Sequence, residues 1–191
     1  MRSRTESLTD SEIDLYARQI IVPGVGAVGQ LRLLSSPVYF PGASTDARLG
    51  RRYISAAGIP AAEDVEGATL IIVSLHESEA LHGVARSLDS GADSSGDSQL
   101  SRMPIVVYGG DYPPWPRVVR GADQLQAAVR AGNTTSRPAP AQLNAAACAA
   151  AGTAMALILG WQAPRDGGAD EVAPTKSRNR ASSRKSSETN G

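Results

Sequence analysis

Apolar residues recur at helical spacing near the beginning of the chain. Thr9-x-x-Glu12 has the form of a capping box, and the residues after it show the i, i+3, i+4, i+7 spacing of one helix face. The pattern predicts a helix from about Asp10 to Ile21. A Pro-Gly pair ends this helix, and Gly26 begins a second, shorter one. The apolar stripe of the first helix consists of Ile13, Tyr16, Ala17 and Ile20.

Three short apolar runs further along are rich in β-branched residues. They are Val38 to Phe40, Thr69 to Ser74 and Ile105 to Tyr108, and parallel sheets bury strands of this kind on both faces. Segments with helical spacing separate them, which predicts a βαβ architecture. The predicted fold class is therefore α/β: a reduced Rossmann-like three-layer fold with a short, mostly parallel sheet of about four strands and an N-terminal helical segment.

Capping motifs and terminal glycines give the bounds of the later helices. One of these motifs, Ser74-x-x-Glu77, is a second capping box that should open the helix after the second strand. The predicted helices are Ala47 to Ala57 before Gly58, a helix with Leu81, Val84, Ala85 and Leu88 on one face, Ala122 to Ala131 before Gly132, and Gln142 to Leu159 before Gly160.

Charge is distributed unevenly over the 191 residues. Lys and Arg balance Asp and Glu at 19 each, so no overall field favours nucleic acid as a partner. From Thr175 onward, however, five basic residues face one acidic residue, and no large apolar side chain is present. We expect residues 1–8 to be a disordered N-terminus, residues 9–162 to form one domain with a polar loop at 89–102, and residues 163–191 to be a disordered basic tail.

Cysteine usage and the absence of a suitable apolar segment bear on location. Cys148 is the single cysteine, which excludes an internal disulfide and a Cys-based zinc site. The polar first residues do not support a secretory signal. The alanine-rich stretch from Leu143 to Leu159 is shorter than the roughly 20 residues that span a membrane. We therefore expect a cytoplasmic protein without a membrane partner, in which Cys148 is an inert core residue.

The segment 16–33, YARQIIVPGVGAVGQLRL, resembles the entry segment of the ThiF/MoeB/HesA adenylyltransferases. This superfamily includes the activating enzymes of ubiquitin and its relatives. In the family a strand follows and leads into a glycine-rich nucleotide loop, and here the strand at Val38 leads to Gly42 at the matching distance. Ala56-Ala57-Gly58 is similar to the sequence that ends the family's next helix. The resemblance implies a Rossmann-like nucleotide-binding fold.

The nucleotide loop departs from the family pattern. The family has Gly-x-Gly-Gly-x-Gly there, because glycines allow the backbone to approach phosphates. This chain has Gly42 followed by Ser44, Thr45 and Ala47 at the matching positions, and Asp46 adds a negative charge. Gly42 and Ser44 are thus interpreted as a remnant of the loop that does not bind ATP. No cofactor is expected unless the chain is an active enzyme, in which case it would use ATP.

Other family positions also differ. The segment Ile59 to Gly67 is too short for the strand-helix-strand unit that carries the ribose-binding acid, although Glu63 or Asp64 could replace that acid. His76 stands where the family has a metal-binding Asp, and Mg²⁺ prefers carboxylate oxygens. We interpret His76 and the neighbouring His82 as parts of a solvated helix start, and we predict no metal site.

Arg18 lies in the part of segment 16–33 that matches the family. The resemblance implies that this Arg reaches the phosphates of ATP in the neighbouring subunit. We therefore expect a degenerate superfamily member, a non-catalytic partner subunit or pseudoenzyme, in a homodimer or in a heterodimer with an active member. A ubiquitin-like or sulfur-carrier protein would be the further partner. Two alternatives remain open: an active ATP-dependent adenylyltransferase, and a truncated gene fragment without activity.

Overall fold

The computed structural model describes residues 7–90, 99–109, 116–132 and 138–161. Two helices precede the first strand, α1 (Asp10–Ile20) and α2 (Gly26–Ser35). The predicted capping box begins α1, because the Thr9 amide donates to Glu12 Oε2 at 2.9 Å and the Glu12 amide donates to Thr9 Oγ1 at 3.3 Å. Both helices of the N-terminal segment are therefore confirmed.

A four-stranded sheet forms the middle layer, with the strands β1 (Val38–Tyr39), β2 (Leu70–Ser74), β3 (Pro104–Tyr108) and β4 (Arg117–Arg120). Their spatial order follows their order in the chain, and β1, β2 and β3 run parallel. The last strand pairs with β3 in the antiparallel direction. This arrangement confirms the predicted α/β class with a short, mostly parallel sheet, and it adds β4, whose position the sequence did not indicate.

Helices cover both faces of the sheet. Successive residues of a strand point to opposite faces, so Leu70 and Ile72 pack with α3 and α7, whereas Ile71 and Val73 pack with α4 and α6. All four of these side chains are buried, as expected for a strand between two helical layers. The helices after β1 are α3 (Thr45–Ala56), α4 (Ser78–Ser90), α5 (Gln99–Arg102), α6 (Gly121–Gly132) and α7 (Pro140–Leu159).

Small residues allow α3 and α7 to lie close together. A Cβ at Gly50 of α3 would be 2.5 Å from the Phe40 ring and 3.4 Å from the Ala147 carbonyl oxygen of α7. The side of α7 that faces α3 and the sheet is mostly alanine. Because α7 begins at Pro140 and has 20 residues, the expectation that this stretch is too short to span a membrane was wrong. By length and composition alone α7 could cross a membrane, and core helices share those properties. Its buried residues are Leu143, Ala146, Ala147, Ala150, Ala151, Ala154 and Leu159.

One isolated bridge extends the sheet beyond β1. Ala61 pairs with Val38 in parallel; the Val38 amide donates to the Pro60 carbonyl at 2.9 Å, and the Ala62 amide donates to the Val38 carbonyl at 3.0 Å. After β1, the chain therefore first pairs with one edge of that strand, at Ala61. It then crosses over and forms β2 along the other edge of β1. In open α/β sheets, ligands bind outside the carboxyl ends of the strands at such a reversal, in a position called the crevice. In this sheet that position, referred to below as the crevice, is at the ends of β1 and β2.

The predicted domain limits fall mostly outside the described residues. This holds for residues 1–6, for 162–191 including the basic tail, and for 91–98 in the polar loop. At the described margins of that loop, Asp89 and Ser90 belong to α4, and residues 99–102 form α5. The helical structure therefore reaches further into the predicted 89–102 loop than its polar composition indicated.

Candidate functional site

The loop between β1 and α3 occupies the crevice at the sheet's carboxyl edge. Gly42 has a φ of 103°, a backbone conformation that residues other than glycine rarely adopt. Ser44 is the N-cap of α3, and its Oγ accepts a hydrogen bond from the Ala47 amide at 3.2 Å. The loop therefore turns sharply and directs the first amides of a twelve-residue helix into the crevice.

A carboxylate from the neighbouring loop binds the two amides that immediately precede α3. The amides of Ala43 and Ser44 both donate to Glu77 Oε1, at 3.0 and 2.6 Å. Glu77 Oε2 is buried and has no hydrogen-bond partner among the described residues. A Cβ at Gly42 would collide with this carboxylate. Glu77 thus lies where the partial positive charge of a helix N-terminus favours an anion.

An arginine binds the opposite side of the same loop. Arg51 Nη1 donates to the carbonyl oxygens of Phe40 at 2.8 Å and of Gly42 at 2.7 Å. Its guanidinium lies 6.0 Å from the centroid of the Phe40 ring. Because the Gly42 carbonyl and the Ala43 amide belong to one planar peptide unit, Arg51 and Glu77 hold that unit from its two sides.

A buried polar pair lies next to the loop. Tyr108, at the end of β3, donates from its hydroxyl to Asp46 Oδ2 at 2.9 Å, and both residues are buried. Burial raises the pKa of Tyr108 well above its ordinary value, and the nearby Asp46 carboxylate raises it further. The hydrogen bond from Tyr108 explains how Asp46, in the first turn of α3, is accommodated within the core.

Glu77 does not form the predicted capping box with Ser74. Its backbone carbonyl accepts from the Leu81 amide at 2.9 Å and so begins α4, but its side chain crosses to the loop after β1. The local prediction was wrong because two amides at the start of α3 require an acceptor, and this long-range contact supplies it. The residue was noticed in the sequence, but its partner could not be identified there.

Two predicted positions, Gly42 and Ser44, come together with Glu77, while the possible ribose-binding acids do not. Glu63 and Asp64 are exposed, and Asp64 Oδ1 accepts from the Gly67 amide at 2.7 Å in a local turn. Asp64 thus serves the backbone of its own loop.

His76 is half-buried beside the crevice. Its backbone amide donates to Ser74 Oγ at 3.3 Å, and a Cβ at Gly109 would lie 2.9 Å from its ring. In the part of the chain that the structure describes, no group of three His, Cys, Asp or Glu side chains is placed to hold a metal ion. Cys148 is half-buried on α7.

The segment that resembles adenylyltransferases holds the end of α3. Gln19 Nε2 donates to the Ala56 carbonyl at 3.1 Å, and the fully buried Gln30 donates through Nε2 to the Ala57 carbonyl at 3.0 Å. These contacts satisfy carbonyls that the helix itself leaves unpaired. Arg18 is exposed in the last turn of α1. Its side chain therefore faces outward, away from these packing contacts.

Comparison with known proteins gives one partial similarity. No protein-family profile matches the chain. Over 101 residues, 53% of this chain, the sequence is 34% identical to the adenylyltransferase and sulfurtransferase uba4 of Pyricularia oryzae. The matched stretch is 20% of that protein, so the chain corresponds to a small part of its relative. The chain is thus similar, over about half its length, to one portion of an adenylyltransferase and sulfurtransferase, and its α/β fold is compatible with a reduced Rossmann-like arrangement.

Proposed function

We propose that this protein is a degenerate, non-catalytic subunit of an ATP-dependent adenylation system. It would assemble as a homodimer or with an active member of the ThiF/MoeB superfamily in the cytoplasm. The system would activate a ubiquitin-like or sulfur-carrier protein. The similarity to an adenylyltransferase and sulfurtransferase supports the relationship to such a system, and the loop after β1 supports the non-catalytic role.

The observation that carries the proposal is the contact between Glu77 and the loop. The amides of Ala43 and Ser44, which would have to bind a phosphate oxygen, already donate to Glu77 Oε1. A triphosphate would have to displace this carboxylate and then lie beside the buried Asp46. Because like charges repel more strongly next to a buried group than in water, the residues present do not fit a bound triphosphate.

The remaining family contact would act on a neighbouring subunit. Arg18 is exposed near the end of α1, where a guanidinium can reach another protein. A guanidinium keeps its charge and can bind two phosphate oxygens at once. Arg18 would therefore contact the ATP of an active partner, even though this chain binds no nucleotide.

Two measurements test the proposal. Calorimetric titration of the isolated chain with Mg-ATP should give no binding tighter than about 1 mM, a range in which the free energy is only about −4 kcal/mol. In a complex with an active superfamily member, Arg18→Ala should lower ATP–pyrophosphate exchange by roughly 10- to 150-fold, the effect of losing a charge-assisted contact. Arg52→Ala, which removes an exposed Arg of α3, is the matched control and should leave the exchange rate unchanged.

Arg18→Lys should restore part of the exchange rate, because an ammonium group keeps the charge but lacks the planar fork. Micromolar binding of Mg-ATP by the chain alone would refute the non-catalytic role. An exchange rate that is insensitive to Arg18→Ala in an intact complex would refute the action on the partner.

An active adenylyltransferase is the second candidate, and one feature favours it. Glu77 supplies a carboxylate directly after His76, at the carboxyl end of β2 and facing the loop. A carboxylate suits Mg²⁺, so Glu77 could take the place of the family's metal-binding Asp. In that case Glu77→Gln should weaken the binding of Mg-ATP, which the non-catalytic proposal does not predict.

A further inference from the structure

The helix that carries Arg18 is attached to the rest of the protein by few contacts. No residue of α1 is buried. Tyr16 packs against Gly58, and Gln19 Nε2 donates to the Ala56 carbonyl at 3.1 Å. A surface helix with so few buried contacts is held weakly. Its direction therefore depends also on the turn that joins it to α2.

The indole ring of Trp161 covers the turn between α1 and α2. Gly24 in this turn has a φ of 87°, and a Cβ there would lie 3.2 Å from Trp161 Nε1 and 3.4 Å from its Cε2. The ring thus packs directly on the backbone, in a space that only glycine leaves open. Within the turn the Val25 amide donates to the Val22 carbonyl at 3.0 Å. The ring therefore contacts a turn of defined shape.

The end of α7 fixes the position of Trp161. Gly160 ends the helix in the left-handed conformation with a φ of 76°, and the Trp161 amide donates to the Ala156 carbonyl at 2.8 Å. The Leu159 carbonyl accepts from Arg32 Nη1 of α2 at 3.4 Å. Because α7 packs in the core, Trp161 connects the turn between α1 and α2 to a rigid part of the protein.

The core alone does not account for this ring. Trp161 is 43% exposed and belongs to neither of the two buried apolar clusters. Its contact with Gly24 removes little apolar surface from water but restricts the turn. Arg18 lies in the last turn of α1, close to this contact, and its side chain is exposed. Any tilt of α1 at the turn therefore moves the guanidinium.

We propose that Trp161 is a positioning residue for Arg18: its ring holds the turn between α1 and α2, and with it the direction in which α1 presents the guanidinium to a neighbouring subunit. A bidentate contact with phosphate requires a defined approach of the planar guanidinium. A displacement of about 1 Å can lower a reaction rate by up to about 100-fold. This inference rests on the proposed function, in which Arg18 contacts the ATP of a partner.

Amide hydrogen exchange of the full chain tests the attachment itself. Trp161→Ala should raise the exchange rates of the Ile20 and Ile21 amides about threefold or more, while the amides of β2 and β3 keep their native rates. Trp161→Phe keeps an aromatic ring on Gly24 and should restore most of the protection. Tyr53→Ala removes a side chain of similar exposure, 51%, from α3 and is the matched control. Unchanged rates of the α1 amides in Trp161→Ala would overturn the inference.

ATP–pyrophosphate exchange in a complex with an active superfamily member tests the link to Arg18. Trp161→Ala should lower this rate about 3- to 30-fold while the complex still forms, and Trp161→Phe should restore it. In an Arg18→Ala background the same change should have no further effect, because no guanidinium remains to be positioned. A residue that only stabilises the fold would lower the rate by the same factor in both backgrounds. That result, or an unchanged rate in Trp161→Ala, would overturn the inference.

Failure of this inference can be separated from failure of the proposed function. If Arg18→Ala lowers the exchange of pyrophosphate and Trp161→Ala does not, only the positioning role is wrong. If Arg18→Ala leaves that rate unchanged, the action on the partner is refuted and the positioning role is refuted with it. Loss of the complex in Trp161→Ala would show that Trp161 contacts the partner directly, which would also overturn the inference.

Discussion

The hydroxyl of Tyr108 donates to Asp46 Oδ2 across 2.9 Å, which joins the end of β3 to the first turn of α3 inside the core. Burial and the adjacent carboxylate raise the pKa of Tyr108. The pair therefore depends on a protonated phenol. The hydrogen bond also links β3 to α3, two elements that are far apart in the sequence. Because α3 directly follows the loop after β1, we expect this contact to stabilise both the fold and the position of that loop.

Tyr108→Phe should lower the free energy of unfolding near neutral pH by about 1–3 kcal/mol, because a buried carboxylate oxygen of Asp46 loses its donor. Urea unfolding at pH 7 measures this change. Tyr39→Phe is the control, since Tyr39 lies next to the loop but is only half-buried. A loss equal to that of the control would show that the Asp46 contact contributes little.

The contribution of the Tyr108–Asp46 hydrogen bond to stability should depend on pH in the alkaline range. Because the pKa of Tyr108 is raised in the folded protein above the value of about 10 in the unfolded chain, the unfolded state loses the phenol proton first. The contribution of Tyr108 is complete below about pH 10 and decreases as the pH rises further. Urea unfolding between about pH 9 and pH 11 should show a steeper loss in the native protein than in Tyr108→Phe, and parallel curves would contradict this.

Gly58→Ala should destabilise the protein strongly. Gly58 has a φ of 83°, and a Cβ there would lie 2.7 Å from the Tyr16 ring and 2.9 Å from Leu34. Backbone strain of about 1–2 kcal/mol and overpacking of about 1–3 kcal/mol should add. The matched control is Gly83→Ala in α4, where nothing lies within 4 Å of the new Cβ; this change should stabilise by up to about 1 kcal/mol.

Thermal unfolding of the two glycine variants gives the comparison directly. A similar loss in both would mean that the Tyr16 contact does not determine the effect. It would also weaken the conclusion that the N-terminal helices hold the end of α3.

Two variants of Gln30 should distinguish the loss of stability from a missing hydrogen bond from the loss caused by a buried charge. Gln30→Met removes the donor to the Ala57 carbonyl but also the buried Oε1, which has no partner among the described residues; we expect a loss of about 1 kcal/mol. Gln30→Glu places an acid there that cannot donate when ionised, so the loss at pH 7 should be at least about 3 kcal/mol and should decrease as the pH falls. Denaturant unfolding at pH 5 and pH 7 measures both losses. Equal losses of unfolding free energy in the two variants at both pH values would contradict this prediction.

The exposed apolar residues of the N-terminal segment predict self-association or assembly with a partner. Tyr16 packs inward against Gly58, so the apolar surface differs from the predicted stripe: Leu15 is 71% exposed and Ile21 79% exposed. Contiguous exposed apolar patches mark interaction sites, and we expect these two residues to contribute to such a surface. Light scattering should give a dimer mass for the native chain and a monomer mass for the Leu15→Ser, Ile21→Ser double variant. Tyr53→Ser, at a half-exposed position of α3, should leave the dimer intact.

Local patterns identified the elements that depend on nearby residues. The capping box at Thr9 and the β-branched runs of β2 and β3 rely on propensity and period, and each is found where it was predicted. β4 was not located because RVVR is short and charged at both ends, and its strand structure comes from pairing with β3.

The candidate site was predictable only in part. Gly42 and Ser44 were identified by their distance from β1, but the role of Glu77 depends on two loops meeting at the edge of the sheet. Its sequence neighbours favour a helix cap with Ser74, and no local feature indicates the amides of the other loop. The bridge at Ala61 was missed for the same reason, since a single residue pair leaves no periodic pattern.

Because α7 packs through alanine residues, this part of the core should tolerate smaller side chains better than larger ones. Residues such as Ala147 and Ala151 have almost no side chain to remove, so changes to glycine create little empty volume there. Any larger side chain must instead push α7 away from α3, where even a Cβ at Gly50 would lie 3.4 Å from the Ala147 carbonyl oxygen. We therefore expect the contact between α3 and α7 to accept only the smallest residues, whereas positions such as Leu81 and Leu125 in the opposite layer should accept another large aliphatic residue.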